Sequence, residues 1–420
     1  MISHTGWRSS RAFVTLVVSV AIFTDIFLYG LIVPVLPFAL KVRMSLPEND
    51  IQLWASAFLA VYGASIFLGS LLFGWIGDHS KARQGPFLLG LVIVGGATFI
   101  TALTTSLPLF LLARVLQGLS TSSIFTIGYS LLLDTVGTNH IGSALGFTNL
   151  GLSLGLFAGP IIGGFIYDIA GYVAVFAPAF ALIIIETTLC LLLKPLPPGY
   201  KHNPSSEHNP SPEESPLLHD GQSQSSPPTI LLLLRSPRFL VAMIGMCMLN
   251  TFMTALEAVL PPIALVFLSS SLPLMVLSPL AGYCVDRVGP FWPAVSGFAL
   301  ATPSMMLLGV VQQNTALHSV LLRVFLFLFG CGVAMAMPAL MTEISRATER
   351  LHPGGCGASS QAYGLSNAAF AAGTLAGPLY AAYMREWAGW VVLTGSMGVF
   401  GLVTVGLVVV FTRGCGREDV

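Results

Sequence analysis

Apolar runs of about twenty residues recur along the chain, separated by short polar breaks. Twenty residues of helix rise about 30 Å, the thickness of a bilayer's hydrocarbon core. Twelve such runs lie near 12–33, 53–76, 86–105, 108–133, 141–166, 173–194, 239–260, 263–285, 291–311, 317–341, 362–383 and 389–412. The third and fourth are split only at 104–108. The pattern predicts an all-α integral membrane protein with twelve transmembrane helices in two six-helix bundles, 1–194 and 238–420. Residues 195–237, rich in Pro, Ser and His, read as a disordered cytoplasmic linker.

The two bundles repeat each other. GFTNLGLSLGLFAGP (146–160) aligns without gaps on GLSNAAFAAGTLAGP (364–378), LLARV around Arg114 matches LLRV around Arg323, and GWIGD matches GYCVD. Parallel six-helix repeats are one architecture of secondary transporters, with the substrate site between halves near the bilayer midplane. The copies differ in one place: 41 residues separate Pro37 from Asp78, but 25 separate Pro261 from Asp286. The second bundle is therefore expected to have a shortened hairpin between its first two helices.

Composition supports the membrane reading. Of 420 residues, 55% are hydrophobic and 9% charged, with a mean hydropathy of +0.83, whereas soluble domains carry about a quarter charged residues. Net charge is zero, which gives no basis for nucleic-acid binding. With the N-terminus inside, thirteen Lys and Arg residues are cytoplasmic and three (Lys41, Arg43, Arg385) face out. Positive-inside bias then places both termini in the cytoplasm. The first apolar run lacks a small-residue cleavage site and reads as a retained helix. Six scattered cysteines suggest neither a disulfide framework nor a metal site, and no nucleophile and base constellation suggests an enzyme or a cofactor.

Within the spans, the charged residues are the exceptions that need a cause. An ionised Asp25, about thirteen residues into its apolar run, would cost on the order of 3 kcal/mol or more. Arg114 lies about six residues from the outer end of the fourth span, and counting from helix ends puts it near the depth of Asp25. A buried cation there would steady the carboxylate and bias its proton. Tyr29 follows Asp25 by one turn on the same face and could hydrogen-bond it or stack on a substrate. Glu186 is a third acid within a span, a candidate proton site or else a residue facing a neighbouring helix or the cavity wall, while Asp134 and Glu343 fall near cytoplasmic helix ends, where gating or capping is expected.

Four motifs together resemble the major facilitator superfamily over the whole chain apart from the linker. GWIGDHSKAR (74–83) is similar to the family's G-x-x-x-D-R-x-G-R-R/K: Gly74, Asp78 and Arg83 fit, whereas His79 and Lys81 depart, and GYCVDRVG supplies Gly282, Asp286 and Arg287. The resemblance implies a cytoplasmic gate in which the acids clasp helix ends. RVLQG, with Arg114 and Gln117, resembles R-x-x-Q-G of proton-linked exporters. GLFAGPIIGG, with Gly155, Gly159, Pro160, Gly163 and Gly164, resembles the signature of drug and proton antiporters. D-x-x-x-Y-x-x-x-x-P-x-x-P at Asp25 and NTFMTALEAVLP (250–261) resemble the vesicular amine transporter branch and its fungal relatives. That branch implies substrate or proton roles for Asp25 and Glu257, with Asn250 a neutral candidate contact. Asn367 stands where the branch has an acid, which removes one possible proton or cation site.

The function expected is a proton-coupled antiporter exporting a small amphipathic or cationic organic molecule by alternating access, with the glycine-rich fifth and eleventh helices rocking at the interface between halves. A uniporter or proton symporter on the same fold, or a non-transporting paralogue, is the alternative. Its partners would be substrate, protons and lipid, and the protein would be a monomer in a plasma, vacuolar or vesicular membrane. EESPLL (213–218) fits an acidic dileucine sorting signal, and Ser211 a phosphorylation site.

Overall fold

A computed structural model describes residues 7–32, 34–80, 82–194, 230–260, 264–313, 315–351 and 358–412. The major helices are α1 (Arg11–Ile32), α2 (Glu48–His79), α3 (Gln84–Leu103), α4 (Leu107–Val136), α5 (Ile141–Ala174) and α6 (Ala177–Leu192). They continue as α7 (Pro237–Val259), α8 (Ala264–Val288), α9 (Phe291–Leu307), α10 (Ala316–Leu351) and α11 (Ser359–Thr412). Ten helices among the described residues are long and apolar enough to cross a membrane, and α6, at 16 residues, is shorter but equally apolar.

At 54 residues, α11 would be about 81 Å long if straight, far beyond one bilayer. It turns back at Gly389, whose φ of 83° is open to glycine and costly for other residues. Tyr380 OH consequently donates to Ser396 Oγ at 2.8 Å across the turn. Gly171 (φ 78°) makes the same turn near the end of α5, ahead of α6. An aromatic follows each glycine and ties the corner down: Tyr172 OH donates to Thr101 O and Trp390 Nε1 to Leu308 O, both at 2.8 Å. With two crossings from α11 and one from α6, the described helices are consistent with the twelve spans expected.

Two differences from the sequence reading concern the joins. Ile230–Arg235, within the expected linker, is a helix, because its Leu-rich run buries Leu233. Residues 195–229, with both linker motifs, lie outside the described residues, as do Lys81, Cys356, Cys415 and the 261–263 junction of the shortened hairpin. The remaining cysteines, Cys190, Cys247, Cys284 and Cys331, carry free thiols.

Contacts between the halves follow the sequence repeat. Within the first half α1 packs on α5, and within the second α7 packs on α11. Across the halves α2 packs on α11, and α8 packs on α5. Basic side chains close helix ends whose carbonyls would otherwise be unpaired. Arg43 donates to Ala102 O and Leu103 O at 3.0 and 3.2 Å, Arg385 to Val259 O at 2.8 Å, and Arg8 to Leu192 O at 2.5 Å. Exposed Glu48 pairs with Lys41, which holds its carboxyl below the usual range.

Candidate functional site

Asp25 is 1% exposed, held in α1 between α4 and α5. Its Oδ1 accepts a hydrogen bond from Thr121 Oγ1 of α4 at 3.0 Å, while Oδ2 has no partner among the described residues. Thr121 Oγ1 also lies 3.1 Å from Tyr62 OH of α2 and 3.0 Å from Gln117 O. A hydroxyl has one proton to give. If Asp25 is ionised, Thr121 must point that proton at it. If Asp25 carries a proton, it can donate to Thr121, which is then free to donate to Gln117 O.

Arg114 does not meet Asp25. Its Nη1 donates to Gln117 Oε1 at 2.8 Å and its guanidinium lies 5.3 Å from the Phe110 ring centroid, with no acid within 4 Å among the described residues. Thr121, which Asp25 does meet, is seven residues further along α4, roughly 10 Å deeper. Counting from helix ends misplaced the arginine because the 30 residues of α4 span about 45 Å, more than the bilayer core. Tyr29 stacks on Tyr62, with centroids 5.2 Å apart at 20°, beside Ile66 of α2 and, from the other half, Ala371 of α11. No hydrogen bond joins it to Asp25 among the described residues.

Glu257, half-buried on α7, lines a cavity between the halves with Leu156 of α5, Ser270 and Ser271 of α8 and Phe329 of α10. It comes within electrostatic range of Tyr29. Asn250, two turns below, donates through Nδ2 to Phe370 O and Thr374 Oγ1 at 2.6 Å each, so it ties α7 to α11. A second cavity is walled by Phe125, Tyr129, Met246, Met341, Asn367 and Phe370. Flexible thioethers beside rigid rings make an adaptable apolar surface. Glu186 is fully buried on α6, away from both cavities.

Thr121, Tyr62 and the Met and aromatic lining were missed in the sequence. For Thr121 a signal existed, since Arg114, Gln117 and Thr121 share one helical face. Nothing in the sequence marked which Met and aromatic residues turn inward.

The acids of the two gating motifs cap helices of the opposite half. Asp78, its side chain fully buried, accepts from Ser360 N and Gln361 N at the start of α11, both at 2.9 Å. Asp286 accepts from Gly142 N and Ser143 N at the start of α5, both at 2.8 Å, and from the Ser143 hydroxyl. The two capped dipeptides are related by the same sequence offset as the repeat. Arg83 adds to the first seam: it bonds Ser359 and Ser360 at 2.8 and 2.6 Å and pairs with Asp134 at 2.7 Å. Arg287 instead lies over Tyr283, 4.6 Å from its ring centroid. Gly74 abuts Ser360 O and Gly282 abuts Gly142, so each motif glycine lets its seam close. Asn367 Nδ2 donates to Ser70 Oγ at 2.8 Å further along the first seam. Its counterparts Asn149 and Ser278, at the second seam, are buried with no side-chain partner among the described residues.

The antiporter signature packs inside its own half. A Cβ on Gly155, Gly159 or Gly163 would come within 2.8 Å of the carbonyls of Phe23, Phe27 or Leu31 on α1, and Pro160 faces Gly30. Gly164 meets nothing within 4 Å. The interface of α5 with the other half is made instead by Gly142 and Gly146, against α8. The fifth and eleventh helices, α5 and α11, do lie at the interface between halves, but this stripe is not the contact surface: it fixes α1, and Asp25 with it, to α5. No group of metal-ligating side chains occurs among the described residues.

Comparison with known proteins agrees with the fold. Residues 18–352 match the model of the Major Facilitator Superfamily. The chain is 30% identical to the MFS-type transporter ppzB of Metarhizium rileyi, covering 90% of each. It is 22% identical to the mouse synaptic vesicular amine transporter, over 76% of this chain and 58% of that one. In fold it resembles the human organic anion transporter MFSD10, with a TM-score of 0.69 at 17% identity over 95% of this chain and 99% of that one.

Proposed function

The chain belongs to the major facilitator superfamily of transporters, and from that premise we propose that it is a proton-coupled antiporter exporting a small amphipathic or cationic organic molecule by alternating access. The observation that carries this reading is a pair of intramembrane acids, Asp25 of α1 and Glu257 of α7, one in each half. Neither has a cation within 4 Å among the described residues. An acid kept so far from water without a counter-charge is poised to exchange a proton or a cationic substrate. Tyr29 follows Asp25 by one turn of α1 and is within electrostatic range of Glu257; the Met and aromatic cavity, about 10 Å³ here, would widen as the halves move to take the apolar part of the substrate.

In this reading the acid caps hold the cytoplasmic side shut, and substrate and proton compete for Asp25 and Glu257. The two bundles move as bodies across the seams of α2 with α11 and α5 with α8. The protein works as a monomer with both termini cytoplasmic, in a plasma, vacuolar or vesicular membrane. Proteoliposomes given an imposed pH gradient and a panel of organic cations test the proposal. Gradient-driven flux of at least one cation is expected, lost in Asp25→Asn with Glu257→Gln. Unchanged flux in that double variant sinks the proton assignment.

A further inference from the structure

Glu186 is 0% exposed, and both of its carboxyl oxygens lack a hydrogen-bond partner among the described residues. No described Lys, Arg or His lies within 4 Å of it. A carboxylate in that position would be a buried charge with neither a counter-ion nor a donor, which costs several kcal/mol. The surroundings contain no hidden compensation. α6 packs on α1 and α3, and the sequence of α3 holds no Asp, Glu, Lys, Arg, His, Tyr or Cys. The only other titratable group on its own helix is the thiol of Cys190, one turn on. From α1 come the Thr24 hydroxyl, nearby but outside hydrogen-bond geometry, and Asp25, within electrostatic range. Thr24 Oγ1 and Asp25 Oδ2 are themselves unpartnered among the described residues. Three adjacent polar groups with free valences thus lie in an apolar wall behind the substrate side of α1.

We propose that Glu186 is a second proton-binding site of the first half, coupled to Asp25 across α1 so that the two acids are not ionised together. Two carboxyl groups sharing a low-dielectric region repel when both are charged, and they release protons as a pair. The neutral form of Glu186 lets Asp25 carry the single negative charge that a cationic substrate would meet. When Asp25 takes a proton, Glu186 is the group relieved of repulsion. This rests on the proton-coupled reading of Asp25 and extends it from one site to a linked pair.

Infrared difference spectroscopy of the full chain in lipid nanodiscs tests the proposal without a known substrate. An un-ionised carboxylic acid gives a C=O stretch apart from that of a carboxylate. The wild type should show such a band at neutral pH, lost in Glu186→Gln and retained at a shifted frequency in Glu186→Asp. The band should move in D2O, showing that the proton exchanges, and its pH dependence should change in Asp25→Asn. A spectrum that Glu186→Gln leaves unaltered overturns the proposal. So does a Glu186 band that responds to neither D2O nor Asp25→Asn, which would mark a static structural acid. Because the band reads Glu186 directly and vesicle flux reads coupling, either reading can fail without the other.

Discussion

Replacing Asp78 by Asn tests what holds the first seam closed. Both carboxylate oxygens of Asp78 accept backbone N–H groups, at 2.9 Å, from the positive end of α11. Asn keeps one acceptor oxygen and turns its NH2 toward the other donor. One charge-assisted bond is lost and one N–H left facing another donor, at a cost of about 2 kcal/mol. The separated state hydrates the same groups and loses nothing comparable, so the ratio of closed to open molecules should fall roughly thirtyfold. Asp286→Asn should act by a similar amount at the second seam. The two acids cap different helices and share no partner, so the double variant should shift the equilibrium by about 4 kcal/mol. Spin labels at His79→Cys and Glu349→Cys, in a background without native cysteines, report the separation of the halves by double electron–electron resonance. A long-distance population should grow from wild type through each single variant to the double. A distribution unchanged in the double variant would refute the capping argument.

Two further outcomes follow from packing and from the hydroxyl network. Gly159→Ala puts a methyl 2.8 Å from Phe27 O and should cost about 1–3 kcal/mol, whereas Gly164→Ala meets open space and should leave or slightly raise the melting temperature of the purified protein. Thr121→Val removes the donor to Asp25 Oδ1 while keeping shape. It should alter the pH profile of transport more than its maximal rate, and Thr121→Ser should restore the profile; restoration by Val alone would mean that the hydroxyl is not used.

The fold was legible because a bilayer imposes a length: runs of about twenty apolar residues leave few alternatives to spanning helices. The repeat was legible too, down to the paired motifs around Asp78 and Asp286. Their partners were not, since they are backbone N–H groups of 142–143 and 360–361, which carry no side-chain signature. Asp25, Glu257 and Glu186 stood out because a charge in an apolar run is costly. Arg114 was set against the wrong residue because helices that overrun the membrane spoil depth counted from their ends. The cavity's methionines and aromatics were invisible, since a helix that is apolar all round does not reveal which face turns inward.

The crossed caps have a meaning for how such a chain can arise. Asp78 of the first half closes the second half's α11, and Asp286 of the second half closes the first half's α5. Each half therefore carries both a plug and a socket, and neither fits the other within the same half. Two identical six-helix proteins related by a twofold axis would make both contacts at once, since a patch that meets its own copy forms them in duplicate. The seams within this one chain have the geometry of a homodimer interface, its two halves joined in sequence and then free to diverge. The divergence is visible in Arg83, which fortifies one seam and has no counterpart arginine at the other, where Phe291 occupies the matching position.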